Sequence, residues 1–181
     1  NEIKLAQELI RFSTVKTEDK GIMKFLSKKL NAIGFKCTII KSKGVGSKPA
    51  LNLYARYNNS KPHINFLGHT DVVANLENWR FPPFKAVIRK GYLNGRGSQD
   101  MKGGIACWIS AASNFIKKNK FKGSISMIIS ADEETTGLGC PAVMKYLKNK
   151  GEKIDFSVVG EPSSNKSVGD EIRIGRRGSM N

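Results

Sequence analysis

The sequence predicts an α/β fold, a mostly parallel mixed sheet covered by helices on both faces. Two observations predict it. Helical periodicity alternates with short strand-like runs along the chain, and those runs are nearly all apolar. Strands buried on both faces read that way, and their alternation with helices is the mark of a crossover-built sheet.

The elements follow in order. Residues 2–12 place Ile3, Ala6, Leu9 and Ile10 on one helical face. Residues 21–33 repeat the pattern with Ile22, Phe25, Leu26, Leu30 and Ile33, and Gly34 reads as the stop. Strands are expected over 35–41, 50–57 and 63–67, separated by an exposed loop at 42–48. The prolines in 77–84 make that stretch a loop, and 85–89 with 92–94 read as a hairpin around Lys90-Gly91. A helix over 102–117 turns Ile105, Ile109, Ala112 and Ile116 inward. Then come a strand over 124–131, a helix over 138–149 carrying Val143, Tyr146 and Leu147, a strand over 155–159, and the start of another strand over 168–174.

A chain of 181 residues is long enough for one substantial core. No run of apolar residues is long enough to span a membrane, and the opening Asn1-Glu2-Ile3-Lys4 lacks the layout of a secretory signal. The net charge of +16 comes from 31 basic and 15 acidic side chains. Those lysines are spread along the chain, with no zinc finger, aromatic ribonucleoprotein motif or continuous basic helix, so a nucleic-acid partner is not expected. A diffuse positive field does draw small anionic substrates toward a cleft. Cys37, Cys107 and Cys140 are odd in number and far apart, which reads as buried, reduced thiols of a cytoplasmic protein.

Open parallel sheets bind ligands outside the carboxyl ends of their strands, so the residues that follow each strand matter most. After 64–67 come Gly68, His69, Thr70 and Asp71. After 124–131 come Asp132, Glu133 and Glu134, and after 156–159 come Gly160, Glu161 and Pro162. Asp100 stands just before the helix that opens near Lys102. Each has a plain alternative: His69 as a satisfied polar residue, Asp71 in an Asx turn, Asp100 as a helix cap, Asp132 to Glu134 as a solvated loop, Glu161 in a surface turn. Their shared edge of the sheet points instead to convergence. Carboxylates brought together in a cleft repel, and divalent cations relieve that repulsion. His and carboxylates are ordinary zinc ligands.

Spacing suggests roles. Residues two apart in an extended segment face the same way, so Asp71 is placed to hold the far nitrogen of the His69 ring. A short carboxylate such as Asp100 can bridge two ions. Glu133 and Glu134 diverge, which leaves one for an ion and the other as a base.

Four segments, 68–73, 95–104, 131–135 and 160–163, resemble the M20 family of zinc aminopeptidases and deacylases, in the right order and over nearly the whole chain. Within it, Trp79 to Phe84 and Gly175 to Ser179 are most similar to the branch that removes succinyl groups from diaminopimelate. The resemblance implies two zinc ions per subunit, with cobalt an alternative in one site. His69 and Glu161 would hold one ion, Glu134 the other, and Asp100 both. Glu133 would be the general base and acid, Asp71 would orient His69, and Arg176 would lie near the substrate carboxylate. It also implies a cis peptide between Asp100 and Met101.

Two departures stand out. The second ion's final His is missing, since the chain holds only His63 and His69, and His63 begins its strand at the far end. The smaller lid and dimerisation domain is missing too. Residues 1–175 are therefore expected to be the first segment of the catalytic domain, and 176–181 the start of the connection to the lid. The implied reaction is hydrolysis of N-succinyl-LL-2,6-diaminopimelate, a small dicarboxylate, to succinate and LL-2,6-diaminopimelate, by a cytoplasmic homodimer that the missing lid joins. On its own this segment is expected to be inactive. The competing readings are a related deacylase, acting on acetylornithine or an acylated amino acid, and a basic nucleic-acid-binding domain.

Overall fold

The computed structural model describes residues 1–46, 48–74 and 77–175. Strands β1 (Lys36–Ser42), β2 (Ala50–Tyr57), β3 (His63–His69), β6 (Ser124–Ser130) and β7 (Phe156–Val159) form one sheet in the order β1-β2-β6-β3-β7. Strands β6, β3 and β7 are mutually parallel, while β2 runs antiparallel to both β6 and β1. Four of the five strands therefore point the same way, as a mostly parallel mixed sheet should. Strands β4 (Val87–Arg89) and β5 (Tyr92–Asn94) form the separate hairpin. Its Lys90-Gly91 turn has positive φ at both residues, 50° and 80°, the twist that suits a two-residue hairpin loop.

Helices α1 (Glu2–Ile10), α2 (Ile22–Asn31) and α3 (Lys102–Lys118) share one core with the sheet. Leu9, Leu26, Leu30 and Ile105 pack there with Leu53, Phe66, Met127 and Ile129 from the strands. Helix α4 (Gly139–Asn149) covers the other face, where Val143 and Leu147 meet Tyr54 and Ile128. The alternation along β6 explains both layers, because Ile125, Met127 and Ile129 face one core and Ile128 the other.

The helical periods hold with one shift. Ile3 is exposed and Leu5 takes the inward position on α1. Asn1 caps that helix, its side chain accepting the amides of Ile3 and Lys4. The strand expected over 168–174 does not form. Val168, Ile172 and Ile174 stand exposed, and Asp170 instead gathers the amides of Asn165, Lys166 and Ser167 into a turn. The three cysteines are free but not fully buried, and Cys107 is exposed on the outer side of α3. Burial does push the Cys37 thiol up to about 11. No helix among the described residues is long and apolar enough to cross a membrane.

The α4 face carries more polar groups than the apolar strands suggested. His63 is fully buried, its Nδ1 against the Lys153 carbonyl and its Nε2 against Ser126 Oγ, each at 2.8 Å. Ser126 donates on to Asn65, and Asn65 to Ser157. Nearby, Arg56 and Tyr54 both bond Glu152. This network sits where β3 and β6 begin. The chemistry-bearing residues sit at the opposite end.

Candidate metal centre

The parallel register puts the ends of β3 and β6 side by side, with His69 opposite Ser130. Beyond β6 the chain turns through Glu133 and Glu134 just after Asp132, and beyond β7 it continues irregularly through Gly160 and Glu161. Asp100 arrives from another direction, at the start of α3. Its peptide bond to Met101 is cis. Helix α3 begins without a side-chain cap, and Asp100 turns its carboxylate to His69 Nε2 at 3.0 Å instead.

Around that nitrogen the other acids gather. Glu161 Oε1 lies at 3.5 Å and Glu133 Oε2 at 3.9 Å. Two groups of donors come within 4.8 Å of one another: His69, Glu133 and Glu161, and His69, Asp100 and Glu134. All five of these sequence-selected residues thus meet in one place. The His69 ring is buried, while Asp100, Glu133 and Glu161 are each about half exposed, so the cluster opens to solvent. The apolar groove of about 480 Å³ near Trp108, Phe115, Phe121 and Phe156 lies toward the other end of the sheet.

Asp71 is wholly buried and does two things. Its main-chain carbonyl faces His69 Nδ1 at 3.0 Å, which fixes the tautomer that leaves Nε2 free to bind an ion. Its carboxylate lies 3.5 Å from Nδ1, within ion-pair reach of the ring as expected, and also accepts the amides of Glu133 at 3.1 Å and Glu134 at 2.9 Å. One carboxylate therefore aims the loop that presents two others.

Asp132, named among the acids after β6 but given no role of its own by the sequence, has a structural one. It is fully buried and accepts from the Thr136 amide, the Thr136 hydroxyl and the Leu138 amide. This closes the 132–138 loop from inside. The available signal was the Asp-x-x-x-Thr spacing, a local side-chain turn. Gly97, inside the segment 95–104, is another residue whose role the sequence does not state. Its φ is +81°, and a Cβ there would approach Val72 Cγ1 to 3.0 Å and Lys102 Cδ to 3.1 Å, so the turn leading to Asp100 requires glycine. Arg176 and the 176–181 connection lie outside the described residues. His63, at the far end of β3, takes no part in the cluster.

The gathered carboxylates repel one another and act on the imidazole among them. Burial disfavours the charged form of His69, yet the carboxylates of Asp71, Glu161 and Asp100 hold it up to about 9. Burial, with the Asp100 and Glu133 carboxylates beside it, raises Glu161 to about 7 despite the pull of His69. Glu134 is raised by burial and by Asp100. One imidazole nitrogen with carboxylate oxygens is a zinc-type donor set. Because Nε2 offers one lone pair, His69 can serve one ion only. A second ion here would rest on Asp100 and Glu134 and need a donor from elsewhere.

Comparison with known proteins fits this geometry. The family model for peptidase family M20/M25/M40 matches residues 66–175. The chain is 51% identical over 185 residues to the succinyl-diaminopimelate desuccinylase of Pelagibacter ubique (strain HTCC1062), covering 100% of this chain and 48% of that protein. The desuccinylase of Ehrlichia canis (strain Jake) is 46% identical, with 99% of this chain and 48% of that protein covered. The chain spans about half the length of the curated relatives it matches. Among solved structures, an M20 family metallo-carboxypeptidase from Sulfolobus solfataricus superposes with a TM-score of 0.76 at 22% identity, over 88% of this chain and 37% of that one. Human carnosine dipeptidase 1 gives 0.75 at 21%, over 87% and 37%. These two likenesses support the fold, and the family model covers well over half of the sequence. The chain belongs to peptidase family M20/M25/M40.

Proposed function

We propose that this chain carries most of the metal-binding side chains of a two-zinc amidohydrolase that cleaves N-succinyl-LL-2,6-diaminopimelate to succinate and LL-2,6-diaminopimelate. The observation that carries it is the meeting of His69, Asp100, Glu133, Glu134 and Glu161 within one half-open cluster. The name shared by relatives at 42–51% identity supplies the substrate.

His69 and Glu161 would hold one ion, Glu134 the other, and Asp100 both. Zinc bound there would polarise the amide carbonyl and lower the pKa of the attacking water. Asp71 keeps the His69 ring in the tautomer with Nε2 free and aims the Glu133–Glu134 turn. Glu133 is left as the base. Its carboxylate is exposed enough to reach a substrate, and it takes the proton of the water. It then gives that proton to the leaving amine nitrogen, so the amide breaks into a carboxylate and an amine. The net charge of +16 favours a dicarboxylate substrate over a neutral one. Arg176, a planar fork suited to a carboxylate, would receive one end of it. The last donor to the second ion and a lid that joins two subunits would come from the part of the protein outside this chain.

The test uses the intact protein with N-succinyl- and N-acetyl-diaminopimelate and with N-acetylornithine. The proposal expects turnover of the succinylated substrate that a chelator abolishes and zinc restores. Faster turnover of an acetylated substrate would move the chain to a related deacylase, and tight salt-sensitive DNA binding without hydrolysis would reject the enzyme reading.

A further inference from the structure

Helix α3 opens with a lysine that solvent does not reach. Lys102 is 0% exposed and heads the fully buried side chains by size. Its Nζ donates to the Phe12 carbonyl at 2.8 Å. Phe12 lies just past Arg11, the C-cap of α1, where a helix leaves carbonyls unpaired and its dipole favours a cation.

That carbonyl belongs to a segment fastened to the metal-bearing loop. Phe12 O also accepts the Thr14 amide at 2.9 Å. Thr14 O accepts the Val72 amide at 3.0 Å, and Lys16 N donates to Val72 O at 3.2 Å. The Thr14 hydroxyl donates to Thr70 O, and Val15 and Val72 form a parallel bridge. Residues 12–16 thus lie beside 70–72, the continuation of His69 and Asp71. On its other side Lys102 is two residues past Asp100, and its own amide donates to Gly97 O at 2.9 Å, closing the turn that carries Asp100.

Burying a lysine amine, charged or neutral, is costly unless it is hydrogen-bonded, and a methionine would fill similar space without that cost. A lysine in a first helical turn usually extends its amine to water. Here it joins the two segments that deliver the imidazole and the carboxylate 3.0 Å from it.

Resting on the metal-binding reading above, we propose that Lys102 is a positioning residue of the metal centre. Through the Phe12 carbonyl it locks residues 12–16, the His69–Val72 loop and Asp100 into one unit, and so sets the spacing between His69 and Asp100.

Cobalt(II) titration of the intact protein, followed by visible absorption, tests this alongside melting of the metal-free form. Lys102→Met is expected to weaken cobalt binding about tenfold or more and to shift the absorption band. Thr14→Val, which removes the hydroxyl bond to Thr70 O, should do the same to a smaller degree. Leu9→Ala, a core change in α1, should lower the melting temperature and leave affinity and band alone. Lys102→Met affinity within about twofold of the wild type, or tighter, overturns the proposal. If Lys102→Met does not fold, unchanged affinity in Thr14→Val overturns it. Wild-type protein that binds no cobalt would instead reject the metal reading itself.

Discussion

Replacing Asp71 with asparagine separates two jobs that one residue performs. The side chain keeps its shape, and the main-chain carbonyl still faces His69 Nδ1 at 3.0 Å, so the imidazole keeps its tautomer. What changes is the support of the Glu133–Glu134 turn. The carboxylate accepts two amides, at 3.1 Å and 2.9 Å, in a place with 1% exposure. Asparagine offers one oxygen, and its NH2 group faces the second amide. A hydrogen bond to a charged group contributes about 1.5–3 kcal/mol, and a buried donor left without an acceptor costs about 1–3 kcal/mol. Taking about 2 kcal/mol, all felt where Glu134 must be held in place, predicts about a 30-fold loss of metal affinity. That lies inside the roughly 10- to 100-fold range for partners one step behind a ligand. Zinc competition against a fluorescent chelator measures it. An Asp71→Asn protein that holds zinc as tightly as the wild type would refute the idea that this carboxylate aims the turn.

Other outcomes follow from the same geometry. Metal loading should release between about one and two protons at pH 7, because His69 near 9 is charged and Glu161 near 7 is half protonated in the metal-free site. Affinity should therefore climb as pH rises from about 6 to 9, and calorimetry in buffers of different ionisation enthalpy counts the protons. Burial lowers the folded pKa of His63, as does Arg56 nearby, against the pull of the Lys153 carbonyl, Glu152 and Asp155. Its neutral form thus stabilises the fold above the unfolded value of about 6.5, and that contribution is lost as pH falls through it toward the folded value. His63→Gln should flatten this part of the stability curve in metal-free protein, read by urea unfolding at pH 5 and pH 8. Leu147, 2% exposed on the inner face of α4, should cost about 2–5 kcal/mol when cut to alanine, seen as a lower unfolding midpoint with its slope unchanged.

Much of this was legible in the sequence because period and position are local signals. The apolar stripe of α3 and the runs of β3 and β6 fix which way each strand ends, and the acids after those ends then face one edge. The residues that stayed hidden act through contacts distant in sequence. Lys102 looks like any first-turn lysine until Phe12, 90 residues away, is seen to supply its acceptor. The bridge between Val15 and Val72 leaves no periodic trace, since each contributes a single residue. The two-residue spacing points Asp71 at His69, and the pair does lie 3.5 Å apart, but the spacing is silent on the amides that its carboxylate accepts 62 and 63 residues along the chain. At 168–174, β-branched residues resembled a strand, but the amides collected by Asp170 turned the chain there.

The most direct measurement is the zinc content of the intact protein, taken together with its Glu133→Ala and Glu134→Ala variants and their turnover of the succinylated substrate. Two zinc ions are expected in the wild type, two ions with turnover lost in Glu133→Ala, and one ion lost in Glu134→Ala. Wild-type protein without zinc, or variants that both keep full activity, would contradict this expectation.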